Sequence, residues 1–197
     1  MDMLLCLGLF GPTAPVLLAA WLEAPEWAPM ISGSLSLPFV EGPRRGRPLP
    51  ETAVAEGSRL LSNWLDLSEE RRMELRVPMQ RLNSAMRRPS QVDSAIDLGI
   101  ALESIFLPDG RGALTFRLRV RAARWLGSTP GERRRLSTVV GELYAVRSKA
   151  VHEGRAPDRV HQRETRELLE EGYELTARAL LALITKGAPD WDAVTYG

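Results

Sequence analysis

Residues 129–154 read TPGERRRLSTVVGELYAVRSKAVHEG and carry the start and stop signals of one long helix. Thr129 can cap the first turn, Pro130 stands at the first helical position, and a glutamate follows three positions after the cap. Gly154 marks the expected end of the helix, because glycine commonly follows the last helical residue. The pattern therefore predicts a helix that begins after Thr129, runs to about His152 and stops at Gly154.

The rest of the chain from Glu51 onward also has the apolar spacing of amphipathic helices. Three helices are predicted before this stretch. The first is marked by Val54, Leu61, Trp64 and Leu65, and the second runs from Ser68 to about Arg87 and is kinked or broken near Pro78. The third begins at Ser90, with Asp93 in a capping-box position. The predicted helix after residues 129–154 runs from about Asp158 to Lys186 and ends at Gly187. These stretches predict an all-α bundle over residues 51–187, followed by a C-terminal tail at 188–197.

Residues 113–126 fit two kinds of secondary structure. Phe116 and Leu118 alternate with arginines at the period of a strand, whereas Leu114, Leu118 and Ala122 also fit one face of a helix. A lone strand among helices would lack a hydrogen-bonding partner. We therefore predict a helix here.

Proline divides the chain, because eight of its fourteen prolines lie in residues 1–50. This density excludes long helices there and restricts strands to short or edge positions. Short β segments are predicted around residues 4–9, 16–21 and 34–40, and residues 42–48 are expected to form a linker. The N-terminal segment is thus expected to be Pro-rich and partly β, with the character of a remnant of a larger β-containing domain.

The composition excludes several classes of protein. The net charge is +1, from 26 basic and 25 acidic residues, so bulk charge identifies no partner. Cys6 is the only cysteine, which excludes an internal disulfide framework and a cysteine-based zinc site, and two histidines leave little for other metals. The apolar start carries Asp2 instead of a basic residue and is interrupted by Gly11-Pro12, so it fits neither a signal peptide nor a membrane span. We expect a cytoplasmic protein without a cofactor, a bound metal or a membrane segment.

Two charged residues interrupt the apolar faces of two predicted helices. Glu103 lies seven residues after Ile96 and three before Phe106. Arg147 lies seven residues after Val140, again within an apolar stripe. A charge on a buried face is costly unless an opposite charge pairs with it. We therefore predict that Glu103 and Arg147 meet as a desolvated ion pair between the two helices.

His152 extends this cluster toward the end of the second helix. It follows Arg147 by five residues, which places it about 140° round the helix axis, on the side of Tyr144. Tyr144 and His152 are therefore expected to edge one polar site together with the ion pair of Arg147 and Glu103.

Three stretches carry a combined pattern, namely DLGIALESIF at 97–106, RVRAARWL at 119–126 and LYAVRSKAVH at 143–152. Together they resemble the HEPN domain family, in particular its Apea-like branch. The last stretch contains a Tyr, then Arg-Ser, then Val-His, and so matches the family motif of an arginine and a histidine separated by four to six residues, here Arg147 and His152. The family places glycine directly after the histidine, whereas here Glu153 precedes Gly154. The resemblance covers residues 90–185, about half of the chain.

The resemblance implies a HEPN-like helical bundle and an activity. Family members with an intact motif are metal-independent ribonucleases that act as dimers, with two motifs at one cleft. In this chain Arg147 would then stabilise the reacting phosphate, and His152 would act as acid or base. Glu103, Tyr144 and Ser148 would support these two residues. The resemblance also implies RNA as the substrate, a homodimer, a role in bacterial defence or a toxin–antitoxin-like system, and a cognate inhibitor protein as a partner.

A second candidate surface lies in residues 111–135, which hold eight arginines and one acid. The candidate nucleic-acid-binding residues there are Arg117, Arg119, Arg121 and Arg124. Such a density of positive charge could track phosphates, or it could be the solvated face of helices in an arginine-rich protein.

Two other functions stay open at this point. Glu103 and Arg147 could form a purely structural ion pair, and His152 could simply cap its helix. The chain would then be a catalytically inactive helical module that dimerises or docks onto a partner. The arginines would also suit a binder of single-stranded nucleic acid that does not cleave it. The docking module differs from a ribonuclease in one testable respect, since replacing His152 would then change no activity.

Overall fold

Helices account for most of the residues that the structure describes. The structure is a computed structural model, and it describes residues 2–10, 15, 19–22, 33–36, 51–110 and 112–197. Its helices are α1 (Asp2–Leu7), α2 (Glu51–Asp66), α3 (Glu69–Arg87), α4 (Gln91–Phe106), α5 (Leu114–Leu126), α6 (Pro130–Glu153), α7 (Thr165–Lys186) and α8 (Trp191–Tyr196). Its strands, β1 (Ala19–Leu22) with β2 (Gly33–Ser36) and β3 (Arg159–Val160) with β4 (Arg163–Glu164), form two antiparallel pairs. The predicted all-α class is therefore confirmed for this part of the chain, and none of the helices within it is long and apolar enough to cross a bilayer.

The capping signals of α6 act as predicted. Thr129 Oγ1 accepts a hydrogen bond from the backbone N–H of Glu132 at 3.2 Å, and the Glu132 carboxylate accepts one from the backbone N–H of Ser128 at 2.9 Å. At the other end Gly154 has a φ of 65°, in the left-handed region that glycine adopts without strain. α6 therefore begins and ends where the sequence predicts.

α4 and α5 also agree with the sequence pattern. Ser90 Oγ accepts hydrogen bonds from the backbone N–H groups of Val92 and Asp93, at 3.2 and 3.5 Å, and so begins α4. The stretch that fitted both a strand and a helix is the helix α5, which buries Leu118 and Ala122.

α4 lies at the centre of the bundle. It packs against α3, α5, α6 and α7, and most of its residues are buried. Its Leu98, Leu102 and Phe106 belong to the same apolar core as Val140 of α6 and Leu180 of α7. Removal of such side chains from water is the main favourable contribution to folding. The core therefore fixes α6 relative to α4.

Residues 4–9 form most of α1 and the turn after it, so the predicted strand at this position is wrong. α1 packs on α2 and α3 and buries Cys6 against them. Asp2 at its start accepts hydrogen bonds from Trp64 Nε1 and from Arg76 Nη2, each at 3.0 Å. These contacts with distant residues stabilise a helix that the Pro-rich composition of the segment does not predict.

Two of the predicted strands coincide in part with β1 and β2. These strands pair in an antiparallel register that sets Ala19 opposite Ser36. Residues 16–18 and 37–40 of the predicted strands, and the predicted linker at 42–48, lie outside the described residues.

The last long helix starts later than predicted. α7 begins at Thr165, and residues 158–164 form the β3–β4 hairpin instead. His161 in the turn of this hairpin has a φ of 54°, which a right-handed helix cannot contain, and Pro157 precedes the hairpin. The Thr165 N–H donates to the Asp158 carbonyl at 2.9 Å and joins the hairpin to the start of α7.

Two helices near the amino end differ in detail from the pattern. Val54 and Leu65 of α2 are exposed, whereas Leu60 and Trp64 are buried. The buried face is set by α1 and α7, which pack on it. α3 continues through Pro78 as one helix, so it is not broken there.

The predicted C-terminal tail contains α8, which packs on α5. Arg121 of α5 is fully buried and donates to Thr195 Oγ1 and to the Phe106 carbonyl, each at 2.8 Å. Its guanidinium carbon also lies 5.5 Å from the centre of the Trp191 ring. One buried cation thus joins the end of α4 to α5 and α8.

Asp109 pairs with Arg121 and with the similarly buried Arg117, and Asp192 Oδ1 also lies 3.6 Å from Arg121 Nη2. Its carboxylate accepts hydrogen bonds from both guanidinium groups, with Arg121 Nη2 at 3.3 Å. Because arginine keeps its proton in proteins, these buried cations need a carboxylate partner. Asp109 belongs to the loop between α4 and α5, so the pairs also hold this loop against α5.

Replacing Asp109 should therefore destabilise the fold. Asp109→Asn removes the carboxylate that accepts hydrogen bonds from two buried guanidinium groups and leaves Arg121 with Asp192 at 3.6 Å. We expect the free energy of unfolding to fall by about 3 kcal/mol. Asp66→Asn removes the same charge from an exposed position and should change it by less than about 0.5 kcal/mol. Urea unfolding followed by circular dichroism measures both, and equal stability of the two variants would contradict the role assigned to Asp109.

Candidate functional site

The predicted ion pair joins α4 to α6. Arg147 Nη2 lies 3.2 Å from Glu103 Oε1 and 3.3 Å from Glu103 Oε2. Because both contacts use the same nitrogen, Nη1 makes no hydrogen bond within the part of the chain that the structure describes. Nε is buried and has no partner there either. The carboxylate thus neutralises the guanidinium and leaves one of its terminal nitrogens without a bond.

The ion pair lies at the rim of the apolar seam. The side chains of Arg147 and Glu103 stay 23% and 26% exposed. The buried residues of α6 include Leu143 and Val140 on either side of Arg147, so Arg147 lies toward one edge of the buried face. The expected desolvation is therefore only partial, and an anion from solvent can reach the guanidinium.

Gly99 allows Arg147 to cross α4. A Cβ atom added at Gly99 would stand less than 3.0 Å from Arg147 Cγ and 3.2 Å from Arg147 Cβ. The aliphatic stem of Arg147 thus lies where α4 has no side chain. Since a packed interior leaves no alternative space, this contact sets the direction of the guanidinium. The sequence pattern placed Gly99 only in an apolar stripe and gave no signal of the close approach.

Tyr144 contacts both members of the ion pair. The Arg147 guanidinium carbon lies 5.6 Å from the centre of the Tyr144 ring, a cation–π arrangement. The Glu103 carboxylate also lies close enough to the Tyr144 hydroxyl to affect its pKa. Burial raises the pKa of Tyr144, and the adjacent Glu103 carboxylate raises it further, with Arg147 opposing them. Tyr144 therefore keeps its proton beside the carboxylate.

His152 and Ser148 lie on α6 outside the ion pair. His152 is exposed in the last turn, and Ser148 is half-buried one position after Arg147. Neither side chain forms a hydrogen bond or ion pair with any other described residue. The structure thus brings Glu103, Arg147 and Tyr144 together and places His152 about one and a half turns further along the helix.

The four candidate arginines of α5 do not form one surface. Arg117 and Arg121 are buried in their pairing with the α4–α5 loop, so they cannot contact a phosphate in this fold. Arg124 donates to two backbone carbonyls of α8, at 3.2 and 3.3 Å. Arg119 is exposed and reaches α6 instead.

A further buried acid was not singled out by the sequence reasoning. Asp97 of α4 accepts hydrogen bonds from Arg81 Nη1 at 2.9 Å and from Arg88 Nε at 2.7 Å. Its position directly before the core residue Leu98 was the available signal, because an acid in an apolar helix requires a partner. The contacts join α4 to α3 and lie on a different part of α4 from Glu103.

Comparisons with known proteins add no assignment. No protein-family model, curated protein or solved structure matches the chain. Within the described ranges, no three histidine, cysteine, aspartate or glutamate side chains are grouped so that they could hold a metal ion. A functional assignment therefore depends on the geometry of the α4–α6 site and on the resemblance of the three sequence stretches.

The close approach at Gly99 can be tested by a double-mutant cycle. Gly99→Ala should lower the free energy of unfolding by about 1–3 kcal/mol, because the new methyl group overlaps the Arg147 stem. In an Arg147→Ala background the same change should cost less, because the overlapping Cγ and Cδ are gone and only the Cβ of residue 147, 3.2 Å away, remains. Gly131→Ala is the control, because the nearest atom to its added Cβ is 4.0 Å away. An equal cost of Gly99→Ala in both backgrounds would contradict the contact.

The raised pKa of Tyr144 predicts how stability changes at high pH. A native state that holds the phenolic proton more tightly keeps its full stability below the ordinary tyrosine pKa and loses stability as the pH rises through the raised value. Tyr144→Phe cannot ionise, so it should lose less stability than the wild type between about pH 8 and about pH 11. Tyr196→Phe, at an exposed side chain, should behave like the wild type. Urea midpoints measure the difference, and identical pH dependence of all three proteins would contradict the prediction.

Proposed function

We propose that the chain is a metal-independent RNA endonuclease of the HEPN type. The observation that carries the proposal is the cluster of Arg147, Glu103 and Tyr144 at the rim of α4 and α6, with His152 exposed further along α6. A cation at the phosphate and an acid–base group near it are the two requirements for RNA cleavage by its own 2′-hydroxyl.

His152 is the acid–base group of the proposed reaction. The 2′-oxygen attacks the adjacent phosphorus, the bond from phosphorus to the 5′-oxygen breaks, and the products carry a 2′,3′-cyclic phosphate and a 5′-hydroxyl. The 2′-hydroxyl loses a proton and the leaving oxygen gains one, transfers that an imidazole can make near neutral pH. His152 suits this role because its exposed side chain is free to reach a bound strand.

Arg147 is the cation that stabilises the developing charge on phosphorus. Glu103 occupies only Nη2, so Nη1 is free to donate to a phosphate oxygen. Gly99 and the Tyr144 ring hold the guanidinium in place before the substrate arrives. Such preorganised donors stabilise charge in the transition state with little reorganisation, and the planar guanidinium suits a phosphate.

The proposal includes a homodimer. Within one copy Arg147 and His152 point about 140° apart and are separated by about 7.5 Å along the helix axis. A second copy packed against the end of α6 would bring two of each residue to one cleft, as the family resemblance implies. Val151, beside His152, is an aliphatic side chain that is 47% exposed, and such a contact would cover it.

The biological setting belongs to the same proposal and depends on the resemblance alone. It is a cytoplasmic role in bacterial defence or a toxin–antitoxin-like system, with RNA as the substrate. A cognate inhibitor protein would restrain the activity in the cell that makes the enzyme.

The alternative is a catalytically inactive module that dimerises or docks onto a partner. The double contact of Arg147 with Glu103 favours it, because an ion pair of this kind can also fix the register of two helices. Dimerisation or docking by such a module would not require the His152 side chain. A binder of single-stranded nucleic acid would in turn retain RNA without cleaving it.

Cleavage of a labelled RNA by the purified protein in excess EDTA tests the proposal. The wild type should release fragments that end in 2′,3′-cyclic phosphate. His152→Asn should lower the rate by about a hundredfold or more, because acid–base groups contribute at least that much. Gel electrophoresis gives the rates, mass spectrometry identifies the ends, and circular dichroism verifies that each variant is folded.

His161 provides the matched control, because it is the only other histidine of the chain. It occupies a turn position with positive φ, which asparagine also tolerates, so His161→Asn should fold and cleave like the wild type. Intact RNA with a folded wild type would contradict the proposal and favour the docking module. Cleavage that His152→Asn leaves unchanged would remove His152 from the mechanism.

A further inference from the structure

One face of α6 continues from the candidate site toward the start of the helix. Ser137, Gly141, Ser148 and His152 are spaced by four, seven and four residues, so they form a row along one side of α6. None of the four is buried. We refer to these residues as the α6 row, and an extended strand bound at His152 can follow it.

Arg119 of α5 lies across the α6 row. Its Nε donates to the Ser137 carbonyl at 3.1 Å and to Ser137 Oγ at 3.2 Å. A Cβ added at Gly141 would stand 3.2 Å from both Cδ and Nε of Arg119, so the missing side chain of Gly141 provides the space in which Arg119 lies. Arg119 is therefore held on the row by two residues of α6, although its side chain is exposed.

The charge of Arg119 is not neutralised by the neighbouring residues. α5 contains no acidic residue, and Arg119 has no ion pair with any carboxylate among the described residues. Its bonds to Ser137 use only Nε, so both terminal nitrogens are available. In contrast, the guanidinium groups of Arg117 and Arg121 form ion pairs with Asp109.

We propose that Arg119 binds a phosphate of the RNA strand more than one nucleotide away from the reacting one and so directs the strand along the α6 row to His152. The inference rests on the proposed ribonuclease function. Eleven residues separate Gly141 from His152, about 16 Å along the helix axis, which exceeds the spacing of successive phosphates. Arg119 therefore acts on strand binding and has no contact with the reacting group. The contact is with the backbone, so it favours no base.

Binding of an uncleavable strand tests this inference separately from cleavage. The probe is a fluorescent 2′-O-methyl RNA oligonucleotide, which lacks the attacking hydroxyl, and anisotropy is followed over a series of salt concentrations. Arg119→Ala should weaken binding by about fivefold and reduce the slope of log K against log salt by about one, the value for a single phosphate contact. Arg119→Lys should keep most of the slope, because it retains the charge.

Arg59→Ala is the matched control, since it removes an exposed arginine from α2 and should leave binding unchanged. An Arg119→Ala variant that binds like the wild type would overturn the inference, as would a wild type that does not bind the probe at low salt. An acidic peptide, added at the same concentration of charge as RNA, could compete with the probe as strongly as RNA does. That result would also overturn the inference and assign the α6 row to a protein partner. Binding of the probe that depends on Arg119, without cleavage of ordinary RNA, would support the role of Arg119 in strand binding and contradict the proposed ribonuclease activity.

Discussion

The crossing of Arg147 over Gly99 is the contact on which the candidate site depends. Because α4 has no side chain there, α6 can lie close enough for one guanidinium to reach Glu103 and for Tyr144 to cover it. α4 is in turn packed against four other helices, so any shift of the crossing would disturb the apolar core around Leu98. The charged groups at the rim are thus positioned by the same packing that stabilises the fold.

The helices could be predicted where their signals are local. Thr129 and Gly154 act within a few residues of the helix ends, so α6 was predicted from end to end. α1 could not be predicted, because the partners of Asp2 are Trp64 and Arg76, more than sixty residues away. The late start of α7 has a different origin, since a turn with positive φ at His161 leaves no periodic signal in the sequence.

The site could be predicted only in part, for a related reason. Opposite charges on two apolar faces have to pair, so the meeting of Glu103 with Arg147 followed from their positions. Their partial exposure depends on the rotation of α6 about its axis, and apolar spacing does not fix that angle finely enough. The arginines of α5 are alike in sequence, yet Arg121 is buried and Arg119 is exposed, because partners from the α4–α5 loop and α8 surround only the first.

The contacts of Arg121 with α8 have a practical meaning for handling the protein. Phe106, Trp125 and Trp191 form a group of edge-to-face rings, and the Trp191 ring also contacts this buried cation, so α8 is packed on the core. Trimming residues 188–197 as a dispensable tail would open the core and remove the partners that Arg121 has in α8. The Tyr196 side chain is exposed, so a reporter attached at this position would leave the packing of α8 in place.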